Sequence, residues 1–372
     1  MLPVAPAPLP DAPAAPVVAS RRPRRRWIAL VVVVVLLTFA AIGASVVPVP
    51  YVAIRPGSTR PVTEQVLVEG APSYPPEESI AYTTVSIRRA TLFEALAGWL
   101  DDDIDVVPEE AVRGGRSESE NRRYNAQLMD TSKLVAIAVA LERLGHDVDI
   151  HTTGTVVRGF AEDAPAADVL EQDDVIVAVD GEPVDEIGEV GTLLQTGGPG
   201  ATHTLTVERP PGSAEHTDVE VATVAAPDDP NRAIIGIATE ERISGADFPI
   251  DVTIDSGTVG GPSAGLAFTL AVLDVLTPGE LTGGHRVAVT GTMDLDGNVG
   301  PIGGGAQKAV TVRDSGYEVF LVPEDEVDEI REAAGDDLQV IGVSTLEDAL
   351  EALDSLGGNA GSLLAGAGAA SS

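Results

Sequence analysis

The sequence predicts an α+β multidomain chain: a single N-terminal transmembrane helix, a β-rich domain in the middle and a C-terminal α/β domain. Three observations lead there. An uncharged apolar run, Ile28 to Val49, follows a cluster of arginines. The centre carries strand-like segments punctuated by turn dipeptides such as Asp180-Gly181. The last third alternates strands with helical stretches around a glycine-cradled Ser263 and a glycine-cradled Lys308.

Residues 1–26 form a basic tail. Met1 to Ser20 is rich in Pro and Ala and is expected to be disordered, and Arg21, Arg22, Arg24, Arg25 and Arg26 follow. The apolar run has 22 residues, which at ~1.5 Å each span about 33 Å, enough for a hydrocarbon core of roughly 30 Å. Residues 27–49 are therefore expected to cross the membrane. A cleaved signal peptide is the alternative, given Gly43-Ala44-Ser45, but the run exceeds the usual ~7–15-residue signal core. The arginines belong on the cytoplasmic side, so the expected location is the cell membrane, single-pass, with the bulk of the chain extracytoplasmic. Trp27 and Tyr51 are placed as interfacial anchors.

The formal charge is −35, with 58 acidic against 23 basic residues. A strongly acidic body argues against nucleic acid as a partner, and it also serves solubility. The absence of cysteine decides little.

Residues 51–145 read as an extracytoplasmic α/β region. Tyr82 to Ile87 suits a strand, and Thr91 to Leu100 puts Leu92, Leu96, Trp99 and Leu100 on one helical face. Asp101-Asp102-Asp103 and Glu109-Glu110 lack calcium-loop spacing and read as a solvated acidic face. Arg113 to Tyr124 is polar and suggests a linker or exposed loop. A helix is expected from about Asp130, burying Leu134, Ile137, Leu141 and Leu144 and stopping at Gly145, with Lys133 at the surface.

Gly154 to Val184, with its P-A-A turn, D-D-V-I strand and D-G hairpin, resembles a PDZ domain of the bacterial protease type. Residues 146–226 are thus expected to be PDZ-like. Thr204 to Arg209 is a late strand, ended by Pro210-Pro211. Such domains add an extended chain to a sheet edge. His151 and His203 read as surface or strand residues, and Pro227 to Pro230 as a hinge.

Gly261-Pro262-Ser263-Ala264-Gly265 matches G-x-S-x-G, which puts a hydroxyl on a sharp turn among small neighbours. Ala264 to Val275 suits a helix, so Ser263 would sit at its N-terminus, where backbone N–H groups can hold an oxyanion. Gly261, Pro262 and Ala264 are supporting residues. His285 is the only histidine after Ser263 and lies in a loop, so no downstream residue completes a Ser, acid, His order. Lysine remains: there are two, Lys133 and Lys308, against 21 arginines. Arginine cannot give up its proton, whereas a buried lysine can. Ser263 and Lys308 are the candidate nucleophile and base.

G-P-S-A-G, then Thr290-Gly291, then P-I-G-G and a lysine resemble the proteolytic domain of Lon-type serine proteases over about residues 232–356. The resemblance implies a Ser–Lys dyad, with Thr290 holding the lysine. Many Lon enzymes carry an acid three residues before the serine, where this chain has Gly260. Strands are expected at Ile234 to Ala238, Ile250 to Ile254, Val287 to Thr290, Val319 to Val322 and Val340 to Val343. Helices are expected at Asp325 to Ala334 and Leu346 to Leu356, and residues 357–372 form a flexible tail. Asp294 and Asp296 belong to a hairpin turn, not a metal site.

Neither lysine follows G-x-x-x-x-G, so no P-loop nucleotide site is expected, nor any cofactor or metal. The whole resembles bacterial membrane-anchored PDZ–Lon proteins. It implies an ATP-independent serine endopeptidase acting on unfolded or exposed polypeptide segments of exported or membrane proteins, compatible with homo-oligomers. The alternatives are a non-catalytic peptide-binding receptor or scaffold and a signal-peptidase-like Ser–Lys enzyme.

Overall fold

A computed structural model describes residues 22–78, 80–98, 101, 103–185, 187–209 and 216–364. The expectations for Met1 to Arg21, Trp99, Leu100, Asp102, Pro210-Pro211 and residues 365–372 lie outside the described residues.

Helix α1 (Arg22–Val46) runs directly into β1 (Pro48–Pro61), and then come β2 (Val66–Glu69), β3 (Ala81–Thr91), α2 (Leu92–Ala97), β4 (Asp105–Pro108), α3 (Glu109–Arg113) and α4 (Glu118–Arg143). The middle of the chain holds β5 (Asp149–Phe160), β6 (Val175–Val179), β7 (Glu182–Pro183), α5 (Ile187–Leu193), β8 (Thr202–Glu208), β9 (His216–Ala222), β10 (Val224–Ala225), β11 (Ala233–Ile234) and β12 (Ile237–Asp247). Beyond it lie β13 (Asp251–Ile254), α6 (Gly265–Leu276), β14 (Val287–Val289), β15 (Thr292–Met293), β16 (Val299–Gly300) and α7 (Gly305–Asp314). The chain closes with β17 (Val319–Pro323), α8 (Val327–Ala334), β18 (Gln339–Val343) and α9 (Leu346–Ser355).

Two sheets organise these elements. The larger has the order β18-β17-β14-β3-β1-β4, parallel from β18 to β3 and antiparallel beyond. Its strands come from both ends of the chain, so residues 51–145 and 232–356 share one sheet and are not two separate layers. Apolar residues on one face, including Tyr82, Val289 and Leu321, pack against α4, α6 and α9. On the other face Ala288, Phe320 and Val322 meet Val312 of α7 and Ile330 of α8. Burial of both faces explains the unbroken Val/Ala/Phe/Leu character of β14 and β17.

The second sheet, β12-β5-β6-β8-β9 with β7 beside β6, surrounds a core of Val157, Ile176, Leu205, Val207 and Ile235. The Asp180-Gly181 turn has positive φ at both residues, the type I′ geometry of a tight hairpin. Thr204 to Glu208 lies within β8, as expected. His203 is buried, its Nδ1 2.7 Å from Asp180 Oδ2, whereas His151 is half exposed. The sheet is inserted into the larger fold, and it leaves and re-enters through neighbouring strands, Asp149 standing opposite Asp247.

Several expectations change. Helix α4 starts at Glu118, so most of the polar stretch Arg113 to Tyr124 is helix and not loop. The cause is a capping box: Ser117 Oγ accepts from the Glu120 N–H, and the Glu120 carboxylate accepts from the Ser117 N–H at 2.8 Å. Pro227 to Pro230 is the tip of the β10–β11 hairpin and not a hinge between units. Ile234 to Ala238 is broken at Gly236, whose φ is +75°, and β12 joins the inserted sheet. Residues 357–364 are not a free tail, because Ala360 and Leu363 are buried and the Asn359 N–H donates to Glu280 O at 3.1 Å.

Candidate active site

The loop from Gly257 to Ala264 joins β13 to α6 and is held by α4. The Gly261 N–H donates to Asn125 O at 2.8 Å, and the residue adopts φ +94°, a left-handed conformation suited to glycine. Ser132 Oγ donates to Pro262 O at 3.1 Å. A Cβ on Gly265 would lie 2.8 Å from the Met293 nitrogen and 3.1 Å from Ser132 Oγ, so glycine lets α6 start against β15 and α4. Ala264 is buried and caps the helix. A Cβ on Gly260 would lie 3.0 Å from Asn125 Cβ. The position that the resemblance makes acidic in many Lon enzymes is here a glycine lying close against α4, where a Cβ requires Asn125 to shift by a few tenths of an ångström.

Ser263 is half-buried at the end of this loop. Its carbonyl accepts from the Gly291 N–H at 2.9 Å and from Thr290 Oγ1 at 3.1 Å. Thr290 is fully buried just beyond β14, and its own N–H donates to Leu321 O of β17 at 2.9 Å. The serine loop is thereby tied to the carboxyl end of a central parallel strand, the edge at which open α/β sheets place their sites.

Lys308 reaches the same point from the other face of the sheet. It lies in the first turn of α7, which starts after Gly304 in the left-handed region at φ +67°; a Cβ there would meet Val85 Cγ1 at 2.8 Å. Lys308 Nζ is 2.8 Å from Ser263 Oγ and 3.0 Å from Thr290 Oγ1. The lysine is 2% exposed. Burial draws its ammonium down to about 7, against a smaller upward pull from Glu326. Glu326 in turn accepts the Ile302 N–H at 2.7 Å, which fixes the P-I-G-G turn. An amine that is in part neutral near pH 7 and in hydrogen-bond contact with a hydroxyl has the chemistry of a general base.

The sequence-identified Ser263, Thr290 and Lys308 thus converge, with Gly261, Pro262 and Ala264 shaping the serine loop. His285 lies apart, its Nδ1 2.8 Å from Glu318 Oε2 at the surface. Asp294 accepts from Asn298 N–H and Nδ2, as a hairpin residue should. Asn125 and Ser132 went unread in the sequence. Their signal was the S-E-S-E run at Ser117 to Glu120, which extends α4 far enough to reach the serine loop. Another side of α4 borders a cavity of about 390 Å³ against the inserted sheet, lined by Tyr124, Thr131, Val156, Arg158, Arg242 and Ile243 among others. At the base of that sheet Asp149, His151 and Asp247 could offer one ligand atom each within 4.8 Å of one another, but all three are exposed.

Residues 235–354 match the family model of the Lon protease (S16) C-terminal proteolytic domain, and residues 142–223 that of the PDZ domain. Lon protease of Rickettsia typhi is similar at 32% identity over 111 residues, covering 28% of this chain and 14% of that protein. Lon protease of Campylobacter concisus is similar at 33% over 110 residues, covering 28% of this chain and 13% of that protein. The chain therefore spans only about one seventh of the length of these relatives. The PDZ domain of an SdrC-like protein from Listeria monocytogenes is similar in fold at 23% identity and a TM-score of 0.20, covering 23% of this chain and 86% of that one.

Proposed function

We propose that this chain, which joins a PDZ domain to a Lon-type proteolytic domain, is a membrane-anchored, ATP-independent serine endopeptidase with Ser263 as nucleophile and Lys308 as general base. The observation that carries this reading is the buried Lys308 Nζ, 2.8 Å from Ser263 Oγ and 3.0 Å from Thr290 Oγ1. Neutral Lys308 takes the Ser263 proton, and Oγ attacks the scissile carbonyl. The N–H groups of Ser263 and Ala264 have no acceptor among the described residues and are the candidate donors to the developing oxyanion. Protonated Lys308 then gives its proton to the leaving amine, and water, deprotonated by Lys308, releases the acyl group. Thr290 keeps the amine on line throughout.

The substrate class follows from the second domain. Strand β12 is an edge of the PDZ sheet with α5 beside it, and an edge strand accepts an extended polypeptide. Unfolded or exposed segments of exported or membrane proteins are the natural candidates. Trp27–Val46 is long and apolar enough to cross a membrane, with a mean hydropathy of 2.8. We assign it as the anchor, with its arginine-rich end in the cytoplasm and the protease outside. The absence of a P-loop pattern supports hydrolysis without nucleotide, and an acidic surface supports a role without nucleic acid.

The test incubates the full chain, its Ser263→Ala variant and its Lys308→Ala variant with an unfolded protein in the absence of ATP, and follows fragments by mass spectrometry. Cleavage by the wild type and by neither variant is the expected result. Equal cleavage by all three overturns the assignment.

A further inference from the structure

The start of α2 is fastened to the point where α1 ends. Helix α1 gives way to β1 within two residues, β1 pairs Pro48 with Thr91, and the Leu92 N–H donates to Val47 O at 3.1 Å. Thr91 caps α2 in a box with Glu94, and α2 packs against the end of α1. The helix is six residues long, yet its large side chains face outward: Leu92 is 42% exposed, Phe93 55% and Leu96 50%. Ile87 on β3 and Val47 and Tyr51 around the exit are exposed as well. Outside α1 and this cluster, Leu67 is the only leucine or phenylalanine among the described residues with large exposure, so three such side chains on one short helix depart from the chain's own practice. A contiguous exposed apolar patch marks an interaction surface.

The place of the patch identifies its partner. The 20 residues Trp27–Val46 rise about 30 Å as a helix, which equals the thickness of a hydrocarbon core. Val47 then stands at the boundary between acyl chains and headgroups, and the hydrogen bond from Leu92 sets the first turn of α2 at that same height. We infer that α2 is an interfacial foot: Leu92, Phe93 and Leu96 insert into the headgroup–acyl boundary of the bilayer beside α1. Interfacial helices bury their apolar face roughly 5–10 Å deep there. A second copy of the chain is disfavoured as occupant, because the patch begins at residues that the bilayer itself surrounds. The inference rests on the reading of α1 as a membrane span. Its consequence is a second point of attachment, so the domain cannot swivel freely on one helix.

The chain has no cysteine, so single cysteines can be spin-labelled without background. The full chain with Phe93→Cys, Leu96→Cys, Phe39→Cys or Glu220→Cys is reconstituted in phosphatidylcholine bilayers. At each label, relaxation by oxygen, which concentrates in lipid, is compared with relaxation by a water-soluble nickel chelate. Labels at 93 and 96 are expected to favour oxygen, though less than the label at 39, while 220 favours the chelate. If 93 and 96 behave like 220 while 39 stays in lipid, the foot is overturned and the span stands. If 39 also favours the chelate, the span reading itself fails. Loss of both accessibilities at 93 and 96, with dipolar broadening between labels, means that a second copy covers the patch and likewise overturns the proposal.

Discussion

On the proposed mechanism, Lys308 is the residue on which the chemistry and the pH response both turn. Burial holds its ammonium down to about 7, so kcat/KM should rise about tenfold per pH unit below that value and level off above it. Lys308→Arg keeps the charge and has no accessible neutral form; its kcat should fall by about 100-fold or more, measured on the same unfolded substrate. The same burial sets a stability term. In the unfolded chain the lysine titrates near 10.5, so between about 7 and 10.5 the unfolded state binds more protons and stability rises with pH. Lys308→Met should accordingly raise Tm at pH 6 and change it little at pH 10, a comparison that thermal denaturation reads directly. Ser132 tests positioning without chemistry. Ser132→Ala removes the hydrogen bond to Pro262 O, at a cost of about 1 kcal/mol. If that cost falls on the placement of Ser263, kcat drops about fivefold with KM unchanged and the pH midpoint fixed. A fall in Tm with unaltered kcat would make Ser132 a packing residue only.

At the scale of elements, α6 joins the serine loop to a buried carboxylate. Asp274 is 1% exposed, with Oδ1 accepting the Leu281 N–H at 2.9 Å while Oδ2 has no partner among the described residues. Burial lifts its carboxyl to about 7, and the Leu281 N–H pulls more weakly the other way. The folded state thus binds a proton that the unfolded state has released above 3.8, and from there to about 7 stability falls as pH rises. Asp274→Asn, nearly the same shape, should raise stability at pH 8 by about 1–3 kcal/mol and much less at pH 4, in denaturant titrations. Elements of this kind show where sequence patterns carry information. The parallel strands β14, β17 and β18 announce themselves as short apolar runs between turn residues, and Ser263, Thr290 and Lys308 stand on glycine-marked turns. The first two turns of α4 are polar all round, so hydrophobic periodicity is silent there and only the capping box speaks. The inner side of α4 carries Asn125 and Ser132, whose role depends on a backbone carbonyl and a hydroxyl meeting a loop more than a hundred positions away. No local pattern encodes that contact.

The whole molecule is a proteolytic fold interrupted by a PDZ sheet. Strand pairing is non-local, which is why the chain reads as three successive domains although its larger sheet is assembled from both ends. Because Asp149 and Asp247 face each other across neighbouring strands, the insert should be removable. A chain in which a short Gly/Ser linker joins Val148 to Phe248 should keep the circular dichroism and basal peptide cleavage of the parent and lose its preference among long polypeptides. The fragment Arg232–Leu364 alone should fail to fold, since it lacks β1, β3 and α4.

That interruption also puts the fold on a clock. β3 is complete at Thr91, but its parallel neighbour β14 begins at Val287, roughly 200 residues later, or about 10–40 s of synthesis at ordinary ribosomal speed. Throughout that interval β3 waits with one edge open while the PDZ sheet, whose strands all lie between residues 149 and 247, can close on itself. The inserted domain is thus the first part to mature, and Ser263, Thr290 and Lys308 come together only when the last third of the chain arrives to complete the sheet that β1 and β3 began.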